Sequence, residues 1–123
     1  MMKTILIIDD DERILRMYSK LFLPEGFKII EAADAQTGMR LLKENKINLI
    51  LLDINMPEID GKDMFRYIQN HFCHDLKIIV SSVYSLDDQK QFIAGADDYY
   101  DKSQGIDILL EKVKNMLEIK DTD

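Results

Sequence analysis

Short apolar runs and amphipathic segments alternate along this chain, five of each. The first run, Thr4–Ile8, contains only threonine, isoleucine and leucine, which is typical of a strand buried on both faces of a parallel sheet. Similar runs further along predict four more strands. Their predicted ranges are 27–32, 47–53, 76–82 and 97–101.

The segments between these runs repeat apolar residues every three or four positions, which is the spacing of one face of a helix. Five helices are predicted, over residues 12–23, 36–44, 62–71, 86–94 and 106–119. Asp11 and Asp34 precede the first two, and a carboxylate there can cap a helix by accepting a hydrogen bond from a free backbone N–H. Pro24 and Gly26 predict the end of the first helix, and Gly95 predicts the end of the fourth.

Alternating strands and helices favour an α/β fold, in which a doubly wound, five-stranded parallel sheet is covered by helices on both faces. A chain of 123 residues is long enough for one such domain, which we expect to span residues 1–123. Sheets of this kind bind ligands outside the carboxyl ends of their strands. The residues at those ends are therefore the first candidates for function.

Charge and cysteine content narrow the class of protein. The 16 basic side chains against 23 acidic ones give a net charge of −7, which disfavours direct binding to nucleic acid or to an anionic membrane surface. Cys73 is the single cysteine, so no disulfide can form within the chain, as is typical of a reducing cytosol. No apolar stretch approaches the ~20 residues of a membrane-spanning helix. We expect a cytoplasmic protein that does not bind membranes.

Carboxylates gather where two predicted strands end. Asp9, Asp10 and Asp11 follow the first strand directly, and Asp53 closes the third. These two strands are neighbours in a doubly wound sheet, so three or more carboxylates should meet in one pocket and repel each other. Mg²⁺ would relieve that repulsion, because it prefers an octahedron of oxygen ligands that often includes one or two carboxylates. The alternative, an acid that only caps a helix, fits Asp11 best.

Hydroxyl and ammonium groups, rather than further acids alone, lie where the fourth and fifth strands end. Ser81 and Ser82 close the fourth strand, and Lys102 follows the fifth. A hydroxyl and an ammonium that face a carboxylate nucleophile and a divalent cation are the parts that phosphoryl transfer requires. Alone, each would more often be an ordinary serine at the edge of the core or a solvated lysine. Their combination with the acids favours a reacting site.

At four places the sequence resembles the receiver domains of two-component response regulators. Residues 5–11 resemble the start of that family, and residues 51–61 resemble its phosphorylation segment. Residues 78–82 are similar to the strand that carries its Thr or Ser switch residue, and residues 94–99 followed by Lys102 resemble its fifth-strand region. The resemblance covers nearly the whole chain. It implies the flavodoxin-like (βα)5 receiver fold with strand order 2-1-3-4-5.

The resemblance also implies a phosphoacceptor and a metal site. Asp53 would accept the phosphoryl group. Asp10, Asp53 and the backbone carbonyl of Asn55 would ligate Mg²⁺ directly, and Asp9 would act through a water molecule. A histidine kinase or a histidine phosphotransfer protein would donate the phosphoryl group, and a downstream protein would receive the signal.

A conformational switch is implied as well. Ser82, rather than Ser81, would supply the switch hydroxyl, Lys102 would contact the phosphoryl group, and Tyr99 would follow the movement of Ser82. Two positions depart from the pattern of many family members. Ser103 replaces the proline that usually follows the lysine, and it makes a cis bond after Lys102 costly, so we expect a trans or a strained loop. Val83 replaces an alanine and is expected to narrow access to the phosphate.

Two other functions are compatible with the residues. A receiver-like domain that no longer accepts phosphate would act only by docking, which the complete set of acids, Ser82 and Lys102 disfavours. A phosphatase with an aspartyl-phosphate intermediate would usually carry its nucleophile and a second acid on the first strand, whereas Asp53 ends the third. We therefore expect no enzyme activity beyond the chain's own Mg²⁺-dependent phosphorylation and dephosphorylation.

Two further features of the sequence leave their interpretation open. Tyr84, two residues after Ser82, would either shield the phosphate or lie on the surface. His71, Cys73 and His74 form a compact cluster, but a zinc site is disfavoured because no second group of ligands lies at zinc spacing.

Overall fold

The computed structural model of the protein describes residues 2–56, 61–72 and 75–117. Over these residues, strands and helices alternate as the apolar pattern predicts. The strands are β1 (Thr4–Ile8), β2 (Lys28–Ala32), β3 (Leu49–Asp53), β4 (Lys77–Ser82) and β5 (Asp98–Asp101). The helices are α1 (Glu12–Phe22), α2 (Ala35–Glu44), α3 (Gly61–His71), α4 (Leu86–Phe92) and α5 (Ile106–Met116), with a short 3₁₀ helix at Leu23–Glu25.

The five strands lie parallel in one sheet, in the order β2-β1-β3-β4-β5. This confirms the doubly wound α/β fold and the predicted strand order. Neighbouring strands are in register at their carboxyl ends, with Ile8 beside Leu52 and Asp53 beside Ser81. The residues that follow β1, β3 and β4 therefore meet at one edge of the sheet.

The sheet divides the core into two layers, because successive side chains along a strand point to opposite faces. Every residue of β1 and β3 is buried, which explains why their sequences lack an alternating polar pattern. One layer packs against α1 and α5 through Leu15, Tyr18, Phe22, Leu109 and Val113. The other packs against α2, α3 and α4 through Leu42, Met64, Phe65, Ile68 and Leu86.

Local polar contacts set the ends of several helices. Asp11 and Asp34 cap α1 and α2 as predicted, each accepting a hydrogen bond from a backbone N–H in the first turn. Ser85 caps α4 in the same way. This helix ends at Phe92, earlier than predicted, and the chain turns at Gly95, whose φ of 94° suits glycine.

The strand boundaries differ slightly from the prediction. β3 begins at Leu49 rather than residue 47. Just before it, the side chain of Asn48 accepts a hydrogen bond from the N–H of Thr4 at 2.8 Å, and the backbone N–H of Asn48 donates to the carbonyl of Thr4 at 2.9 Å. β2, β4 and β5 each begin one residue later than predicted. The helix α5 ends at Met116, and residues 118 and 119 of the predicted helix lie outside the described residues.

Candidate functional site at the carboxyl edge of the sheet

Three carboxylates converge at the carboxyl edge of the sheet. Asp9 and Asp10 follow β1, and Asp53 ends β3, which lies directly beside it. Each side chain offers an oxygen, and the three oxygens lie within 4.8 Å of one another. Asp9 and Asp53 are buried, whereas Asp10 is exposed. The structure thus brings together the acids that the sequence predicts to meet; we call them the acidic pocket.

Backbone N–H groups orient the two buried carboxylates. Oδ1 of Asp9 accepts a hydrogen bond from the N–H of Asp11 at 2.9 Å. Oδ1 of Asp53 accepts one from the N–H of Asn55, also at 2.9 Å. Each acid therefore closes a tight turn directly after its strand, as aspartate commonly does. The second oxygen of each carboxylate, Oδ2, is left to interact with the rest of the pocket.

Lys102 supplies positive charge to the acidic pocket. Its Nζ lies 2.9 Å from Oδ2 of Asp9 and 3.4 Å from Oδ2 of Asp53, and its side chain is only 15% exposed. The backbone N–H of Lys102 donates to the carbonyl of Ser82 at 2.8 Å, which holds the residue beside the end of β4. The sequence predicts a lysine that faces the acids, and the structure places its ammonium in contact with two of them.

Burial changes the acidity of Asp53. Loss of solvent around this carboxyl is the main effect and raises its pKa, and the neighbouring carboxylate of Asp9 acts in the same direction. The N–H of Asn55 and the ammonium of Lys102 lower the pKa but do not outweigh burial, so that it lies at about 6 instead of 3.8. One lysine therefore does not balance the charge of three acids. An additional cation that prefers oxygen ligands fits this donor set.

Ser82 and Asn55 are joined beside the acidic pocket. The hydroxyl of Ser82 donates to Oδ1 of Asn55 at 2.7 Å, and the N–H of Val83 donates to the same oxygen at 3.2 Å. Ser82 Oγ in turn accepts a hydrogen bond from the N–H of Tyr84 at 3.0 Å. Asn55 thus connects the turn after β3, through its own N–H to Asp53, with the loop that follows β4.

Ser81 lies on the opposite face of the sheet from Ser82, because adjacent residues of a strand alternate. It is buried beside the hydroxyl of Tyr18, whose pKa is raised chiefly by its own burial. The serine that reaches the side chain of Asn55 is therefore Ser82, which is the one that the family resemblance selects.

Tyr99 is buried and its hydroxyl is already engaged. The hydroxyl donates to the carbonyl of Ile93 at 2.5 Å and accepts from the N–H of Ala96 at 3.2 Å. In the part of the chain that the structure describes, no hydrogen bond joins Tyr99 to Ser82 directly. Tyr99 lies next to Val80 across the sheet, so the two predicted switch residues share one face of the sheet.

The loop after Lys102 adopts a trans conformation. The described residues contain no cis peptide bond, and Ser103 donates both its N–H and its hydroxyl to Oδ1 of Asp101, at 2.8 and 2.7 Å. These two hydrogen bonds stabilise the turn after β5. Val83 is 67% exposed, and Tyr84 packs its exposed ring edge-on against Phe92 at a centroid distance of 5.5 Å.

Sequence reasoning missed Gln89, a polar residue at the centre of this region. It lies on α4, is fully buried, and donates two hydrogen bonds from Nε2, to the carbonyl of Tyr84 at 2.8 Å and to the carbonyl of Tyr100 at 2.9 Å. A signal was present in the sequence, since Leu86 and Ile93 flank Gln89 at helical spacing and place it on the apolar face of α4. We call Asn55, Ser82, Tyr84 and Gln89 the hydrogen-bond chain.

The acidic pocket is the one group of three potential metal ligands that meet among residues 2–56, 61–72 and 75–117. Of the predicted zinc cluster, Cys73 and His74 lie outside these ranges. His71 stacks its ring on Tyr67, with Nδ1 2.9 Å from the Tyr67 carbonyl oxygen. None of the helices in the described part of the chain has both the length and the apolar content needed to span a membrane.

Comparison with known proteins identifies relatives in bacteria. The chain is 32% identical over 117 residues to the transcriptional regulatory protein SrrA of Staphylococcus aureus, a match that covers 95% of this chain and 48% of that protein. It is 35% identical over 105 residues to the response regulator GtcR of Aneurinibacillus migulanus, with coverages of 83% and 42%. The chain thus spans about half the length of the curated relatives that it matches.

Two solved structures match this chain over nearly their whole length. A CheY-like response regulator receiver domain protein from Methanospirillum hungatei JF-1 superposes with a TM-score of 0.87 at 32% identity, covering 96% of this chain and 95% of that one. The response regulator TrrA of Thermotoga maritima, solved in complex with Mg²⁺-BeF, has a TM-score of 0.84 at 32% identity, with coverages of 94% and 99%.

A family model agrees with both comparisons. Residues 5–114, which run from β1 into α5, match the response regulator receiver domain. The chain therefore belongs to the response regulator receiver domain family, whose members carry the phosphorylation-dependent signals of two-component systems.

Proposed function

We propose that this chain is a phosphorylation switch in which Asp53 accepts a phosphoryl group from a histidine kinase or a histidine phosphotransfer protein. The observation that carries the proposal is the acidic pocket, where three carboxylate oxygens lie within 4.8 Å of one another and Lys102 contacts two of the acids. In the transfer, an oxygen of Asp53 forms a bond to phosphorus while the bond from phosphorus to the histidine nitrogen of the donor breaks.

The geometry favours Oδ2 of Asp53 as the attacking oxygen. Oδ1 is held by the N–H of Asn55, while Oδ2 faces the ammonium of Lys102. The carboxyl must be ionised to attack. Its pKa of about 6 leaves it mostly ionised at neutral pH, and the bound cation proposed below would lower that pKa.

Mg²⁺ fits the donor set of the acidic pocket, because hard carboxylate oxygens are the ligands that this ion prefers. We propose that Asp10, Asp53 and the backbone carbonyl of Asn55 ligate the ion, and that Asp9 acts through water. When bound, the ion neutralises charge on the oxygens of the transferred group. The TrrA structure, solved in complex with Mg²⁺-BeF, supports the choice of Mg²⁺ by similarity.

Lys102 and Ser82 are proposed to hold the phosphoryl group once it is attached. Lys102 already lies against Oδ2 of Asp53, so it needs only to exchange a carboxylate oxygen for a phosphoryl oxygen. Ser82 would turn its hydroxyl from Asn55 toward another phosphoryl oxygen. Tyr99 would respond on the same face of the sheet and pass the change to a surface that binds a downstream protein.

We also propose a domain assignment, a class of partner and a cellular location for this chain. We assign residues 1–123 to one receiver domain that catalyses only its own Mg²⁺-dependent phosphorylation and dephosphorylation. The net charge of −7 favours protein partners over direct contact of this chain with nucleic acid or membrane, and the single cysteine suits the cytoplasm.

A small-molecule phosphodonor tests the proposal. Incubation with acetyl phosphate and Mg²⁺ should label the chain with one phosphoryl group, and Asp53→Ala or removal of Mg²⁺ should abolish the label. Asp87→Ala, which changes an exposed acid on α4, is the matched control and should label normally. Absence of labelling in the native chain would favour a docking module, and repeated turnover on diverse phosphomonoesters would favour a phosphatase.

A further inference from the structure

The two predicted switch residues, Ser82 and Tyr99, do not contact each other through a hydrogen bond in the described residues. The hydroxyl of Ser82 is bound to Asn55 and to the N–H of Tyr84. The hydroxyl of Tyr99 is bound to backbone groups at the end of α4. A movement of Ser82 therefore requires a physical route to reach Tyr99.

Gln89 occupies such a route. The peptide groups of Tyr84 are held from two sides, with the N–H donating to Ser82 at 3.0 Å and the carbonyl accepting from Nε2 of Gln89 at 2.8 Å. The same Nε2 reaches the carbonyl of Tyr100, the neighbour of Tyr99 on β5, at 2.9 Å. A displacement of the loop after β4 would therefore act directly on the side chain of Gln89 in α4.

The route continues along the backbone of the helix. The carbonyl of Gln89 accepts the N–H of Ile93 at 2.8 Å, and the carbonyl of Ile93 accepts the hydroxyl of Tyr99 at 2.5 Å. Ser82, Tyr84, Gln89, Ile93 and Tyr99 therefore form one continuous series of hydrogen bonds and backbone. The series leaves the sheet at Ser82 and returns to it at Tyr99.

The other amide atom of Gln89 supports a specific role for its NH₂ group. Oε1 is buried and has no hydrogen-bond partner among the described residues. A buried acceptor without a partner lowers stability, whereas an apolar residue at this position of α4 would have no such cost. Nε2 lies against two carbonyl groups, so exchanging the two amide atoms would place an oxygen against both. The donors of Gln89 are thus what distinguishes it from an apolar residue.

We infer that Gln89 is the positioning residue through which a movement of Ser82 reaches helix α4 and Tyr99. The inference rests on the proposed function, because the movement is the turning of Ser82 toward a phosphoryl oxygen on Asp53. When the hydroxyl turns, the N–H of Tyr84 follows or loses its acceptor. Gln89 then transmits the displacement of the Tyr84 carbonyl to α4, in addition to any effect that passes across the sheet from β4 to β5.

Nuclear magnetic resonance of the full chain tests the inference. Mg²⁺ with beryllium fluoride serves as the probe, the amides of Asn55 and Ser82 report occupancy, and the amide of Ile93 and the ring of Tyr99 report the far end. In Gln89→Met the near reporters should shift as in the native chain, while the far reporters should retain less than half of the native shift. Gln91→Met, on the exposed side of the same helix, is the matched control and should keep the full response.

A full native shift at Ile93 and Tyr99 in folded Gln89→Met would overturn the inference, because the signal would then pass through the sheet alone. A thermal unfolding curve establishes that the variant is folded. Gln89→Asn, which keeps an amide too short to reach both carbonyls, replaces it if Gln89→Met does not fold.

A second arm separates this inference from the proposed function. Failure of beryllium fluoride to bind the native chain would count against phosphorylation, not against the role of Gln89. In that case Ser82→Ala is introduced without any ligand. The resulting shift at Ile93 should be present in the native background and reduced in Gln89→Met, and an equal shift in both backgrounds would refute the coupling.

Discussion

Two sets of polar groups meet at the carboxyl edge of the sheet and are organised in opposite ways. The acidic pocket is charged and unbalanced, since it holds three acids and the one ammonium of Lys102, which contacts two of them. The hydrogen-bond chain is neutral, and Oε1 of Gln89 is its one buried side-chain atom without a hydrogen-bond partner among the described residues. The two sets therefore suit different tasks. The acidic pocket can respond to protons, cations and a phosphoryl group, whereas the hydrogen-bond chain keeps one arrangement until a neighbouring group moves.

Asn55 is the point where the two sets touch. Its backbone N–H donates to the carboxylate of Asp53, and its side chain accepts the hydroxyl of Ser82. A change of charge in the acidic pocket can therefore affect the hydrogen-bond chain through Asn55 alone.

Removal of the ammonium from the acidic pocket should have the largest effect. Lys102→Met leaves two buried carboxylates facing each other without a buried cation, and we expect the free energy of unfolding at pH 7 to fall by about 3 kcal/mol. Urea unfolding measures the change. Lys112→Met, which breaks the more exposed pair with Asp98, is the control and should cost less than about 1 kcal/mol. Equal losses in the two variants would show that the pocket does not depend on its lysine.

Addition of Mg²⁺ should raise stability by a comparable amount. An ion that binds the folded pocket at 100 times its dissociation constant stabilises the native state by about 2.7 kcal/mol. Thermal unfolding with increasing Mg²⁺ measures the effect, and a chelator should reverse it. Asp10→Asn removes one proposed ligand and should weaken the response, whereas Asp87→Asn on α4 should not. An unchanged response in Asp10→Asn would contradict the ligand assignment.

Asp53→Asn should stabilise the metal-free protein at neutral pH. The folded pKa of about 6 lies above the ordinary 3.8, so the folded state binds this proton more tightly than the unfolded state does. The contribution of Asp53 is therefore fully favourable below pH ~4 and is lost as the pH rises through ~6.

At pH 7 we expect Asp53→Asn to gain about 1 to 3 kcal/mol, and the gain should disappear near pH 3.5. Urea unfolding across this range in the presence of a chelator measures it. Asp11 and Asp34, whose pKa values are lowered by hydrogen bonds at helix caps, are unchanged in both proteins and cancel in the difference. A loss of stability at pH 7 would mean that Lys102 outweighs burial.

The two adjacent serines should differ by the smallest amount. Ser82→Ala leaves the N–H of Tyr84 without its acceptor and should cost about 1 to 2 kcal/mol, with little dependence on pH between 5 and 8. Ser81→Ala removes a hydroxyl that is buried without a well-formed hydrogen bond among the described residues, and it should be nearly neutral. Unfolding curves of the two variants measure the difference in stability. A larger cost for Ser81→Ala would contradict the assignment of Ser82, rather than Ser81, to the hydrogen-bond chain.

Part of the site follows from local sequence alone. An apolar run that ends in aspartate predicts both a buried strand and an acid at its carboxyl end, and Asp9 and Asp53 obey that rule. The caps at Asp11 and Asp34 were predictable because a cap depends only on the residues of one helical turn. The exact ends of strands and helices were less predictable from the local pattern, as at β3, which begins at Leu49 rather than residue 47.

Other parts required the assembled fold. Helical spacing places Gln89 on the apolar face of α4, but only the packing of α4 against β5 places its amide between two carbonyl groups. The contact of Lys102 with Asp9 joins residues far apart in the sequence, which follow two strands, β5 and β1, that are not neighbours in the sheet.

The sequence by itself determined the order of elements, the family and the acids that gather at one edge of the sheet, because strand burial and helix capping are local and the strand order follows from the alternating pattern and the resemblance. The tertiary structure decided which atoms face each other. It directs Oδ2 of Asp53 to Lys102 and the hydroxyl of Ser82 to Asn55, since those contacts depend on the register between strands and on the face to which each side chain points.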